Sequence, residues 1–227
     1  MKRFLVVVLL VIIVSVSFIP VSPQKNPETN APILLNPVQN NDLKIELLEN
    51  HPSEYGYQNV SFEYVAYSND VFSGIDGQRP FPWGGEVFNG DILFLCSEQN
   101  YDDEKSFGII GYSKNDHGAI AVPDLPLKPN VQPGKLYYLS FWVKYEVTKG
   151  FGLRLTHQFF CKEDKKYPKY ACHGPWIKGT SNGKWIYFGL LVRAPEDTWK
   201  GDPVLELWGK GYVLVDLAYF GEVKEVD

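Results

Sequence analysis

Leu136-Tyr137-Tyr138-Leu139-Ser140-Phe141-Trp142-Val143-Lys144-Tyr145-Glu146-Val147 alternates along its length. Successive side chains of a strand point to opposite faces, so Tyr137, Leu139, Phe141, Val143 and Tyr145 share one side. Tyr138, Ser140, Trp142, Lys144 and Glu146 share the other. An apolar face backed by a polar face that carries an occasional aromatic is the pattern of a strand with one side on a core. Residues 152–160 repeat it. Leu153, Leu155, His157 and Phe159 form an apolar face, and Arg154, Thr156 and Gln158 lie opposite. The polar faces of these two runs could together floor a shallow groove, or simply be the solvated side that any two-layer sandwich presents.

Outward from this stretch, further β-prone runs fall at residues 60–67, 91–96, 106–112, 185–192, 204–208 and 212–223. Turn signals separate them: Asp76-Gly77, Gly84-Gly85, Asn89-Gly90, Pro133-Gly134, Asn182-Gly183 and Gly209-Lys210-Gly211. No long stretch carries a helical period and no strand–helix alternation occurs, which argues against an α/β fold. The expectation is an all-β, antiparallel jelly-roll β-sandwich of about 8–10 strands. The composition agrees, because aromatics reach 15% and favour pleated, half-buried surfaces. The formal net charge of -5 leaves no excess of Lys and Arg to meet phosphates, so nucleic acid is not an expected partner.

The N-terminus has a different character. Met1-Lys2-Arg3 is basic, and the residues from Phe4 to Ile19 are apolar except for Ser15 and Ser17. A basic start followed by an apolar core is the layout of an export signal. No clean small-x-small cleavage site follows, so residues 1–22 read either as a cleaved signal peptide or as a retained anchor, the only route to a membrane. The absence of a following cysteine argues against a lipid-anchored form. Residues 23–52 read as a polar, proline-rich linker, with weak alternation from Leu43 to Leu48 as a first strand. Residues 53–227 then form the β-sandwich domain. An exported protein can hold disulfides, and Cys161 and Cys172 flank a polar stretch between strand-like runs, so a bridge between them is expected. A metal site with His157 and His173 fits the spacing less well. Cys96, inside an apolar run, is expected to be a buried free thiol.

Several segments, in order, resemble the CenC-like jelly-roll carbohydrate-binding modules. Gln58-Asn59-Val60-Ser61-Phe62-Glu63 is similar to the group's opening strand, and Glu86 through Leu95 to its turn and following strand. The stretch from Val131-Gln132-Pro133-Gly134-Lys135 to Trp142-Val143-Lys144 is the nearest match. Lys184-Trp185-Ile186-Tyr187-Phe188, Leu205-Glu206-Leu207-Trp208 and Val213-Leu214-Val215-Asp216-Leu217 resemble the later strands. The resemblance covers about Tyr55 to Val223. It implies a non-catalytic domain that binds polysaccharide of β-glucan or xylan type on one sheet face. It also implies a structural Ca²⁺ held by Glu63 and Asp216, although only one Asp stands where the group commonly has two, and both could equally be surface carboxylates. The segment from Cys161 to Trp176 is longer than the group's usual loop.

Sugar binding needs flat apolar rings for the C–H faces of pyranoses and placed polar groups for their hydroxyls. Trp142, Arg154 and Gln158 are the expected floor, and Trp83, Tyr101, Trp176 and Trp199, in turn-rich stretches, the expected walls. Catalysis finds less support. Asp102-Asp103-Glu104 reads as a solvated loop, and His117 reads as part of a turn. No nucleophile elbow, zinc-protease helix or phosphate loop is present. Two alternatives remain beside polysaccharide binding: an envelope domain making protein contacts, and a jelly-roll polysaccharide-degrading enzyme.

Overall fold

A computed structural model describes residues 32–38, 44–47, 65–67, 78–80, 83–97, 99–101, 105–122, 125–163 and 167–226. Its elements in chain order are β1 (Ile33–Leu35), β2 (Lys44–Leu47), β3 (Val65–Tyr67), β4 (Gln78–Pro80), β5 (Gly84–Asn89), β6 (Ile92–Ser97), β7 (Ser106–Gly111) and β8 (His117–Ala121). A 3₁₀ turn (Leu125–Leu127) follows. Then come β9 (Leu136–Cys161), β10 (Tyr170–His173), β11 (Gly179–Thr180), β12 (Ile186–Arg193) and β13 (Thr198–Val226). The described residues are an antiparallel all-β sandwich of the jelly-roll kind, with β1 on β10 as a parallel exception. The short β3–β4 ladder stands apart.

The two layers are halves of the same long strands. β9 and β13 pair along nearly their full lengths, from Thr198 opposite Cys161 to Glu222 opposite Tyr137. The first layer runs β6–β7–β13–β9–β12, using residues 211–222 of β13 and 136–147 of β9. The second runs β5–β8–β13–β9–β10–β1, using residues 198–208 and 152–161 of the same two strands. Between them the chain turns a corner, as happens where strands switch sheets by a bend or bulge. The register of β9 on β13 shifts there, around Gly209 and Gly211. Gly150 has φ 103° and Gly209 φ 145°. A Cβ on Gly209 would sit 1.9 Å from the carbonyl oxygen of Lys149, so only glycine lets the two backbones cross.

This corrects part of the strand expectation. Residues 136–147 and 152–160 are one strand, as are 204–208 and 212–223, and the glycines of Gly209-Lys210-Gly211 that suggested a turn bend the second of these strands instead. β8 begins at His117, which was expected to be part of a turn, and β10 lies within the segment expected to be a long loop. Within residues 23–52, β1 pairs with β10, and β2 pairs with the end of β13.

The folded sheet closes on one main core. Leu139, Phe141 and Val143 from the first layer and Leu153, His157 and Phe159 from the second are all fully buried. Rings meet across the layers. Trp83, ahead of β5, packs edge-on to Phe141 with centroids 5.7 Å apart, and His157 stacks on Phe220 at 4.7 Å. Each fully buried large apolar side chain of this core contributes on the order of 1.5–3 kcal/mol of transfer free energy. The alternation read from the sequence therefore assigns the inward side of β9 correctly through both halves.

Two candidate faces on opposite layers

On the second layer, Arg154, Thr156 and Gln158 point away from the core. Cross-strand pairing puts Glu206 opposite Arg154, and His173 and Ala171 opposite Thr156 and Gln158. His117, opposite Trp208, opens β8. Glu206 is the hub. Arg154 forks onto it with Nε and Nη2 each 3.0 Å from a carboxylate oxygen. The Thr156 hydroxyl donates to it, and Nε2 of His117 lies 3.0 Å away. Burial by itself would raise the Glu206 pKa, but the hydrogen bonds from His117, Arg154 and Thr156 and the Arg154 charge outweigh it and hold the group at about 2. Thr156 spends its one proton on Glu206, so the 2.9 Å contact to Nδ1 of His173 requires that nitrogen to carry the hydrogen. Burial first, and then the neighbouring Arg154, depress the His173 pKa against the pull of Glu206, which keeps the ring neutral at pH 7.

Rings surround this polar centre. Trp176 lies over the Arg154 guanidinium, 4.3 Å from it to the ring centroid. Trp208 stacks on His117 at 4.4 Å and 10°. Phe151 packs on Trp208 at 4.6 Å and Phe88 on His117 at 4.7 Å, and both are about half exposed. The result is a partly open patch with apolar rings at its edge and charge-assisted donors at its centre. Of the expected residues it gathers Arg154, Trp176 and, one outward position beyond Thr156, the partly buried Gln158. Glu206, Trp208, His117, His173 and Phe151 were not anticipated. The alternation of Leu205-Glu206-Leu207-Trp208 would have placed the first two outward. His117 was hidden by a turn-like Asn115-Asp116 before it.

Trp142 is elsewhere. It points outward from β9 as Arg154 does, but on the first layer, with the core between the two faces. The expectation of a single floor through Trp142, Arg154 and Gln158 is corrected: a strand that turns a corner sends the same side of itself in opposite directions. Around Trp142 lies a second group of rings. Tyr101 stacks on it at 4.0 Å and 13°, and its amide donates to Asp216 at 2.7 Å. Tyr187, opposite Trp142 on β12, is 5.3 Å away by ring centroid. Trp83 is 1% exposed and belongs to the core, so it walls neither face. Trp199 is the second residue of β13, beside Lys200, at the opposite end of that half-strand from Glu206.

Asp216 is fully buried, and its oxygens accept the amides of Tyr101 and Leu217. Among the described residues no group of three or more His, Cys, Asp or Glu side chains is placed to hold a metal. Glu63 lies outside the described residues, as do residues 1–31 and Asp102-Asp103-Glu104. The expected Cys161–Cys172 bridge is not formed; both thiols are free. The reason is register. Cys172 sits opposite His157, four residues before Cys161, which separates the two cysteines by on the order of 13 Å along the ladder, beyond the reach of a disulfide. Burial pushes the Cys161 thiol up to about 11 and the Cys172 thiol up to about 12, so neither supplies a thiolate at pH 7. Cys96 is also free, but partly rather than fully buried.

No protein-family model matches the chain, and no curated protein matches it. Among solved structures, the enzymatically active domain of bacteriophage CBA120 tailspike protein 4 is similar at 12% identity and a TM-score of 0.47. That match covers 63% of this chain and 19% of the tailspike, so this chain spans about a fifth of its length. The CBM22-1 xylan-binding domain of Paenibacillus barcinonensis Xyn10C is similar at 16% identity and a TM-score of 0.42, over 73% of this chain and 93% of that one. A family 61 module solved with β-1,4-galactotriose (TmCBM61) is similar at 12% identity and a TM-score of 0.40, over 63% and 89%. Carbohydrate-binding modules thus recur among the structures this chain is similar to.

Proposed function

We propose that this is a non-catalytic polysaccharide-binding domain whose ligand lies on the outward face of the second layer. The observation that carries the reading is the ring of Trp176, Trp208 and Phe151 around the Arg154–Glu206 pair. Flat rings accept the C–H faces of pyranose units, and placed donors accept their hydroxyls. Arg154 spends only part of its donor fork on Glu206, and its remaining N–H groups, with Gln158 and the far nitrogen of His173, are the polar contacts. Glu206 is a positioning group. A carboxylate held ionised down to about pH 2 has no proton to give a leaving group at neutral pH, which favours binding over glycoside cleavage.

The finer reading is a polymer of β-glucan or xylan type bound by an exported protein, with residues 1–22 acting as signal or anchor. Native electrophoresis of the full chain through gels containing β-glucan, xylan, mannan or pectin tests it. Retardation by one polymer is expected, with Trp176→Ala and Arg154→Ala each reducing it. Unchanged migration through every gel refutes the reading and favours an envelope domain that contacts protein. Product release from the retarding polymer would refute the non-catalytic part alone.

A further inference from the structure

The outward face of the first layer is built differently. Tyr138 of β9 does not stand up from the sheet. A Cβ on Gly189, in the neighbouring β12, would lie 1.8 Å from the Tyr138 hydroxyl oxygen and 2.3 Å from its Cζ, so the phenol ring occupies the space a side chain there would fill. Tyr219 does the same over Gly221, whose Cβ would be 2.6 Å from the Tyr219 hydroxyl oxygen. Two glycines, each with a tyrosine folded over it, lay two rings down on one face. Tyr138 also packs against the buried cluster of Leu136, Leu191 and Val223.

These rings continue into the Trp142 group. Tyr219 and Tyr138 are 6.3 Å apart by centroid, Tyr138 and Tyr187 6.4 Å, Tyr187 and Trp142 5.3 Å, and Tyr101 covers Trp142 at 4.0 Å. The Tyr187 hydroxyl is fixed by a 2.9 Å bond to Ser140. The strip is partly exposed along its length, and Tyr101 is 42% exposed at its end. Between Tyr219 and Tyr187 it presents rings, hydroxyls and glycine. A described cation, Lys144 paired with Gln99, stands beyond Trp142 at the Tyr101 end. A chain of flat rings with phenol hydroxyls and an uncharged centre complements an uncharged, extended ligand that has apolar C–H faces and hydroxyl edges.

We propose that the strip Tyr219–Tyr138–Tyr187–Trp142–Tyr101 is a second site for neutral polysaccharide, on the opposite side of the sandwich from the Trp176 face. It rests on the reading of the domain as a polysaccharide binder and adds that one domain holds two chains. The core lies between the two faces, so a short ligand cannot span both. Two sites on one rigid body then link separate polymer strands and raise retention by avidity.

Calorimetry of the full chain with xylohexaose and with cellohexaose tests this. The expected stoichiometry is two for the hexaose that binds. Gly189→Ala keeps every ring but lifts Tyr138 off the sheet, and is expected to weaken one of the two sites about tenfold, near the upper end of what one aromatic contact contributes. Tyr187→Ala should do the same, which covers the case in which Gly189→Ala fails to fold. Trp176→Ala should remove the other site and leave this one. A stoichiometry of one, abolished by Trp176→Ala and untouched by Gly189→Ala and Tyr187→Ala, overturns this inference and leaves the first site standing. One site abolished by Tyr187→Ala and untouched by Trp176→Ala overturns the first assignment instead. No heat with either hexaose and no retardation by any polymer overturns both.

Discussion

Replacing Glu206 by Gln removes a charge and keeps the shape, so it isolates what the carboxylate does. Its side chain is 6% exposed and that of Arg154 18%, which makes solvent screening of the pair weak. With Gln in place, an amide N–H₂ must face one of the donors Arg154, Thr156 and His117, and the guanidinium loses its counter-charge. Unpairing one member of a buried ion pair costs about 3–5 kcal/mol. The pKa of about 2, against an ordinary value of 4.5, gives roughly 3 kcal/mol by linkage, so the two routes agree in size. The sign follows from the depressed folded pKa. The contribution is fully present above the unfolded value and is lost as pH falls through about 2. Urea denaturation of both proteins from pH 7 to pH 2.5 should show a gap of about 3 kcal/mol that holds down to about pH 5 and then narrows. A gap below about 1 kcal/mol at pH 7, or one that does not change with pH, would refute the account of Glu206 as the hub of this face.

Burial, against a weaker hydrogen bond from its surroundings and with the Lys128 charge adding to it, lowers the His157 pKa to about 3. Unfolding therefore takes up a proton between about pH 6.5 and 3, and stability should fall with acid by up to about 1.4 kcal/mol per pH unit; His157→Leu should flatten that slope in urea melts, and an unchanged slope would count against a neutral core histidine. Gly209→Ala forces a Cβ onto the Lys149 carbonyl at a positive φ, and should cost about 3 kcal/mol or more in the same assay, whereas a loss under about 1 kcal/mol would mean that the corner is not built as described. Peptide mapping without reductant should find Cys161 and Cys172 as free thiols, and a linked peptide pair would overturn the β9–β10 register.

The residues that face inward on β9 were legible from the sequence, and so was the all-β class. Side-chain alternation is a local property of an extended backbone, so Leu139, Phe141 and Val143 could be told from Ser140 and Trp142 without any partner strand. The same locality explains what was missed. Gly209-Lys210-Gly211 reads identically whether the chain reverses or bends, because a positive φ serves both, and only the pairing of β9 with β13 on either side of it selects the bend. Trp142 and Arg154 share a parity that the sequence displays, but which way that side faces depends on the corner between them. Cys161 and Cys172 looked close because few residues separate them, yet their separation in space is set by the register of two strands. Glu206, Arg154, His117 and His173 come from four different strands. Their meeting around one buried carboxylate is a product of long-range pairing, which no period in the chain encodes.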